Sequence, residues 1–148
     1  MRPAKGVAKG DTEYRVRVCR PAFCAAHRMF NSVQDWMELR ANALKLRWWP
    51  RGRMKNKVID LDWDWIRALP DLNVGELRVD DRIGGFDNIR VIFFKADIVD
   101  KDHPPTIWVL HVMQKKRQEF TQNDIRVFKA RRMLVMEYSY RGATAGGK

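Results

Sequence analysis

Two apolar runs, Asn88–Ala96 and Thr106–Gln114, constrain this chain more than any other feature. Both are dense in Ile, Val, Phe or Trp and are bounded by segments carrying Asp, Gly or Pro, the composition of strands. Just ahead of them Gly75–Asp80 alternates, with Leu77 and Val79 on one face and Glu76, Arg78 and Asp80 on the other. The three runs read as an antiparallel meander, connected by Asp81–Asp87, which contains Gly84-Gly85, and by Asp97–Pro105.

Such a sheet needs cover, and the flanking sequence predicts it. Tyr14–Val18 alternates as a first strand. Ser32 and Asp35 have capping-box spacing, and from there Val33, Trp36, Met37, Ala41, Leu44 and Trp48 recur at helical steps until Pro50 and Gly52. A shorter helix is expected from Asp60 or Asp62, with Leu61, Trp65 and Leu69 on one side and Pro70 as its stop. Thr121 and Asp124 repeat the capping pattern and open a last helix to about Glu137. The expected class is α+β, a small twisted antiparallel sheet with helices packed on one face, in the order β-α-α-β-β-β-α. One domain should span residues 13–140, between a flexible basic arm (1–12) and a flexible tail (141–148).

The charge narrows the partners. The chain of 148 residues has 29 Lys and Arg against 18 Asp and Glu, a formal net charge of +11. Residues 1–60 hold 14 basic and 5 acidic side chains, residues 61–100 hold 5 and 9, and residues 101–148 hold 10 and 4. Two basic ends around an acidic middle favour a polyanion or an acidic partner. Met1–Gly10 lacks the apolar stretch of a signal peptide, and no run has the length of a membrane helix, so a soluble, cytoplasmic protein without membrane contact is expected.

Several chemistries lack their signatures. Cys19, Cys24 and His27 form one local ligand cluster with no second set to complete a tetrahedral site. Asp60, Asp62 and Asp64 lack the glycine and terminal glutamate of a calcium loop, and no nucleophile elbow is present. No metal or cofactor is expected.

The densest chemical signal is Ile107–Phe120, where an apolar strand ends in Lys115, Lys116 and Arg117. Arg78 and Arg90 lie on the adjoining strands, so two strand-mounted guanidiniums stand beside a lysine cluster. Arg78 can instead pair with an acidic neighbour, and His111 can be a buried structural histidine. The last helix adds Arg126 and Lys129. Trp48-Trp49, beside Arg47, Arg51 and Arg53, can form an RNA-contacting ledge.

GELRVDD, then NIRVIFF, then VLHVMQKKRQEFTQNDI followed by an Ala-Arg-Arg helix resembles the HigB branch of the RelE/ParE toxin superfamily, in particular its phage-derived members. There an LH-x-F-x-KK-x-x-x-T stretch precedes a helix. The resemblance covers about residues 60–137, with Met113 standing where the family usually has an aromatic residue. It implies a RelE-like toxin of a type II toxin–antitoxin system. Such a toxin is an mRNA interferase, an endoribonuclease that inhibits translation, usually on the ribosome. Its partners are mRNA, the ribosome and a cognate antitoxin, often a helix-turn-helix protein. By motif position the active residues are Arg78, Arg90, His111, Lys115 and Lys116, and Arg117, Arg126, Lys129, Arg47, Arg51 and Arg53 are expected to contact RNA.

Cleavage would proceed by 2′-hydroxyl attack on the neighbouring phosphate. Arg78 and Arg90 would clamp that phosphate, Lys115 or Lys116 would serve as base or charge stabiliser, and His111 as a second proton-transfer group. Two other functions fit the same features: a ParE-like inhibitor of DNA gyrase, and a non-catalytic phage nucleic-acid-binding regulator.

Overall fold

The meander expected from two apolar runs and the alternating segment before them forms the centre of the sheet. The computed structural model describes residues 12–54, 57–96 and 104–146, with side chains described outside 51–60 and 139–146. Residues 1–11 of the expected arm (1–12), most of the loop from Asp97 and residues 147–148 lie outside the described residues. Strands β5 (Val74–Val79), β6 (Ile89–Lys95) and β7 (Thr106–Gln114) pair antiparallel in the order expected. Strand β1 (Arg15–Val18) joins β7 in parallel, and β4 (Trp63–Trp65) joins β5, so the five-stranded order is β1-β7-β6-β5-β4. The sheet is therefore mixed, not purely antiparallel. A separate hairpin pairs β2 (Arg51–Met54) with β3 (Lys57–Asp60).

The helices differ from expectation in informative ways. An unexpected helix, α1 (Arg20–Met29), follows β1 directly. Its N-cap, Cys19, makes no side-chain cap bond, and Pro21 reads as a breaker, yet proline in a first helical turn costs no hydrogen bond. Helix α2 (Val33–Ala43) starts as expected, with Ser32 Oγ accepting from the Asp35 N–H at 3.1 Å. It then tightens into a 3₁₀ turn over Leu44–Trp48. Its inward residues are Leu39 and Asn42, while Val33 and Met37 are exposed, so the expected apolar face was mis-phased.

The helix expected from Asp60 or Asp62 is replaced by strands. Leu61, Trp63 and Trp65 alternate with Asp62 and Asp64, and the alternation prevails because β4 can pair with β5. The last helix, α3 (Gln122–Gly146), starts with the expected reciprocal box: Asp124 N–H to Thr121 Oγ1 at 3.1 Å and Thr121 N–H to Asp124 Oδ2 at 2.9 Å. It continues to Gly146, past the expected end near Glu137, so residues 141–146 are helical.

The helices lie on both faces of the sheet. Val109 and Val112 share a groove with Ala26 of α1 and Leu39 of α2. Trp108 and His111 meet Tyr138 and Phe128 of α3. The register shift between Ile92 and Phe93 leaves Leu110 as an extra residue on β7. That bulge puts His111 on the same face as Trp108, three positions away, where regular alternation would oppose them. Phe30, Phe93, Phe128, Leu46, Ile83 and Ile92 are among the fully buried core side chains.

Candidate functional site

On the α3 face, the pairing register lines up Asp64, Glu76, Ile92 and His111 in one row and Arg78, Arg90 and Met113 in the next. Glu76 is the centre. Its carboxylate is buried at 7% side-chain exposure, and Oε1 gathers Arg90 Nε at 3.1 Å, Lys115 Nζ at 3.7 Å and Arg78 Nη2 at 3.8 Å. Three of the five expected active residues thus converge on one carboxylate. In the sequence Glu76 stands out only as a same-face neighbour of Arg78, and that two-residue spacing is the signal for it.

The two arginines take different parts. Arg90 donates through Nε to Glu76 and through Nη1 to the Ile89 carbonyl at 3.4 Å, and its side chain is 15% exposed. That geometry makes it a strut for Glu76 more than a phosphate clamp. Arg78 reaches outward to Asp62 Oδ1 at 2.9 Å and Asp64 Oδ2 at 3.1 Å. Its pKa is raised, first by the hydrogen bond it donates to Asp62, with Asp64 and Glu76 adding to it while burial opposes. Lys115 is held by Glu76 and lies over the Phe120 ring, 4.4 Å from its centroid.

The remaining expected residues lie elsewhere. Lys116 and Arg117 are exposed on the turn before α3, and Arg126 and Lys129 are exposed on α3 itself. His111 stands in the same row as Glu76 but two strands away, roughly 10 Å at the usual strand spacing. Arg131 Nη1 donates to its Nδ1 at 2.6 Å and to the Leu110 carbonyl at 3.0 Å. Burial and then the Arg131 charge lower the His111 pKa to about 4, so the ring is neutral at pH 7, with Nδ1 as acceptor. The structure does not bring His111 to the Glu76 cluster.

Nor does it form the tryptophan ledge. Trp49 is half-buried and packs edge-on against Tyr14, Trp63, Trp65 and Phe93, and Arg47 pairs with Glu13. The side chains of Arg51 and Arg53 lie outside the described residues. The cysteine cluster is dispersed as well: Cys19 is buried with Sγ 3.6 Å from the Leu110 carbonyl, Cys24 is exposed, and His27 stacks on Trp36.

A cleft of about 550 Å³ opens beside the Glu76 cluster. Its lining includes Glu76, Arg78 and Lys115 together with Arg67, Gln118, Glu119, Phe120 and Ile125. A buried carboxylate among three cations, at the edge of an open cleft, can take a proton from a hydroxyl while holding an anion. Among the described residues no helix is long and apolar enough to cross a membrane. No family model, curated protein or solved structure matches this chain.

Proposed function

We propose that the protein is an RNA-cleaving toxin of the RelE/HigB type, and the observation that carries this reading is the Glu76–Arg78–Arg90–Lys115 cluster beside the cleft. In this reading Glu76 takes the proton of the substrate 2′-hydroxyl. The 2′-oxygen attacks phosphorus, a P–O2′ bond forms and the P–O5′ bond breaks. The leaving 5′-oxygen takes its proton from water in the open cleft, and the products are a 2′,3′-cyclic phosphate and a 5′-hydroxyl. Arg78 and Lys115 hold the non-bridging oxygens as charge accumulates there, and Arg90 keeps Glu76 in place. Lys116, Arg117, Arg126 and Lys129, all exposed, add a general attraction for the RNA backbone. The base role moves from the lysines to Glu76, because Lys115 is already paired with a carboxylate. The ribosome and a helix-turn-helix antitoxin remain the partners this reading implies.

Induction in bacteria with mapping of mRNA 5′ ends tests it. Wild type should cut within translated codons. Glu76→Gln and Lys115→Ala should lower cleavage by roughly 10²-fold or more, the usual contribution of a positioned base or charge. Lys116→Ala should stay close to wild type. Full cleavage by Glu76→Gln would remove the site assignment.

One observation favours a binder that does not cut. The cluster is charge-balanced, with Glu76, Asp62 and Asp64 set against Arg78, Arg90 and Lys115, as in a structural ion-pair network. That reading predicts salt-sensitive RNA retention with no cut product.

A further inference from the structure

We propose that the open edge of β1 binds an extended segment of a partner protein in which apolar and acidic residues alternate. This stands apart from the RNA-cleavage reading and from the Glu76 cluster. Strand β1 ends the sheet and pairs only with β7. The Arg15 and Cys19 N–H groups donate to the Pro105 and Val109 carbonyls, at 2.8 and 3.1 Å. Alternation along the strand therefore turns the N–H and C=O groups of Tyr14, Val16 and Val18 to the outer edge. The Arg47 carbonyl accepts from the Tyr14 N–H at 2.7 Å, whereas the Val16 and Val18 N–H groups have no backbone partner among the described residues.

The two faces of β1 differ. Val16 and Val18 face α1 and α2, where a groove of about 220 Å³ is walled by Phe23, Leu39 and Leu44. Val18 and Phe23 are each 41% exposed and Leu44 is 38% exposed, so this apolar groove stays open beside β1. Arg15 and Arg17 face the other way, and the Arg17 guanidinium lies over the Trp108 and Tyr138 rings at 5.1 and 5.7 Å. Neither arginine has a carboxylate within ion-pair distance among the described residues. A strand added to this edge sets every second side chain beside Val16 and Val18, in the groove, and the others beside Arg15 and Arg17. The first set must be apolar and the second acidic. Antiparallel pairing of two β1 edges would set arginine against arginine, so a second copy does not fit there. The net charge of +11 adds attraction for an acidic segment.

A heteronuclear NMR titration of the full chain with two blocked peptides of equal composition and charge tests this. One alternates (Glu-Val-Glu-Val-Glu-Val-Glu) and the other groups the same residues (Glu-Glu-Glu-Glu-Val-Val-Val). The alternating peptide should shift the Val16 and Val18 amide signals, slow their hydrogen exchange and bind roughly tenfold more tightly than the grouped one. Val16→Pro removes an outward N–H while leaving the β7 ladder, so it should abolish that preference. Arg15→Glu with Arg17→Glu should weaken the alternating peptide by roughly 2- to 30-fold, the range of two cross-strand charge pairs, and favour its lysine–valine counterpart instead. Thermal melts confirm that the variants fold, and if Val16→Pro does not, the charge reversal decides. No binding, equal affinity for the two peptides in wild type, shifts confined to other surfaces, or a preference unchanged by charge reversal overturns the proposal. Self-association that protects Val16 and Val18 without peptide, or tighter binding of a uridine oligonucleotide at the same amides, overturns it as well.

Discussion

Acid should unfold this protein partly through His111. Burial and the Arg131 charge bring its pKa down to about 4, Arg28 acts in the same direction, and Asp124 opposes them. In the unfolded chain a histidine titrates near ~6.5. The folded state thus refuses a proton that the unfolded state accepts. The stability this represents is present above about pH 6.5 and is lost as pH falls through the window down to about 4. At 1.36 kcal/mol per unit, moving from pH 7 to pH 5 removes about 2 kcal/mol through this one group. Carboxylates titrate too, so the comparison needs a matched variant. In His111→Asn the side-chain amide can place its oxygen near the former Nδ1 and accept from Arg131, but it does not titrate. Urea unfolding of both proteins at pH 7 and pH 5, followed by far-UV circular dichroism, gives the answer. Wild type should lose about 2 kcal/mol more than His111→Asn between the two pH values, whatever the offset at pH 7. Equal losses would refute the placement of His111 as a neutral ring under α3.

Two further perturbations probe the sheet edge. The carboxylates clasping Arg78 are well exposed, at 52% for Asp62 and 69% for Asp64, so each pair is worth only ~0.2–1 kcal/mol. Asp62→Asn with Asp64→Asn should therefore tighten binding of a 2′-deoxy-substituted, uncleavable RNA oligonucleotide by roughly three- to tenfold at fixed salt. Unchanged or weaker binding would mean that Arg78 does not receive phosphate. Gly75→Ala should lower stability by about 1–3 kcal/mol in thermal or urea unfolding. The new Cβ would stand 2.6 Å from Cζ of the fully buried Phe93 and 3.1 Å from the Asp64 carbonyl, so either the ring or β4 must move. A variant as stable as wild type would show that the Phe93 ring has room to yield.

The sheet centre was legible because its evidence is local. Residues 74–79, 89–95 and 106–114 each carry their own strand signal, and the Thr121–Asp124 box writes its hydrogen bonds into a four-residue spacing. Failures came where two local patterns competed or no local signal existed. Residues 61–65 match a helical side through Leu61 and Trp65 and a strand through their alternation. Only an available edge on β5 decides between them. Helix α1 has no side-chain cap and presents small alanines to β7, a face without the bulk that marks a core helix in sequence.

The candidate site divides in the same way. Sequence alone put Arg78, Arg90 and Lys115 on or beside neighbouring strands and Arg78 and Glu76 on one face, because alternation along one strand is a property of the backbone. It also made plain the +11 charge that any polyanion meets. Tertiary structure alone decided that Arg90 braces Glu76, that β4 brings Asp62 and Asp64 onto Arg78, and that Arg131 holds His111 neutral. Those contacts join residues 14 to 20 positions apart, across strands and from a helix to a bulge. Pairing register and packing set them, and neither is a function of neighbouring residues.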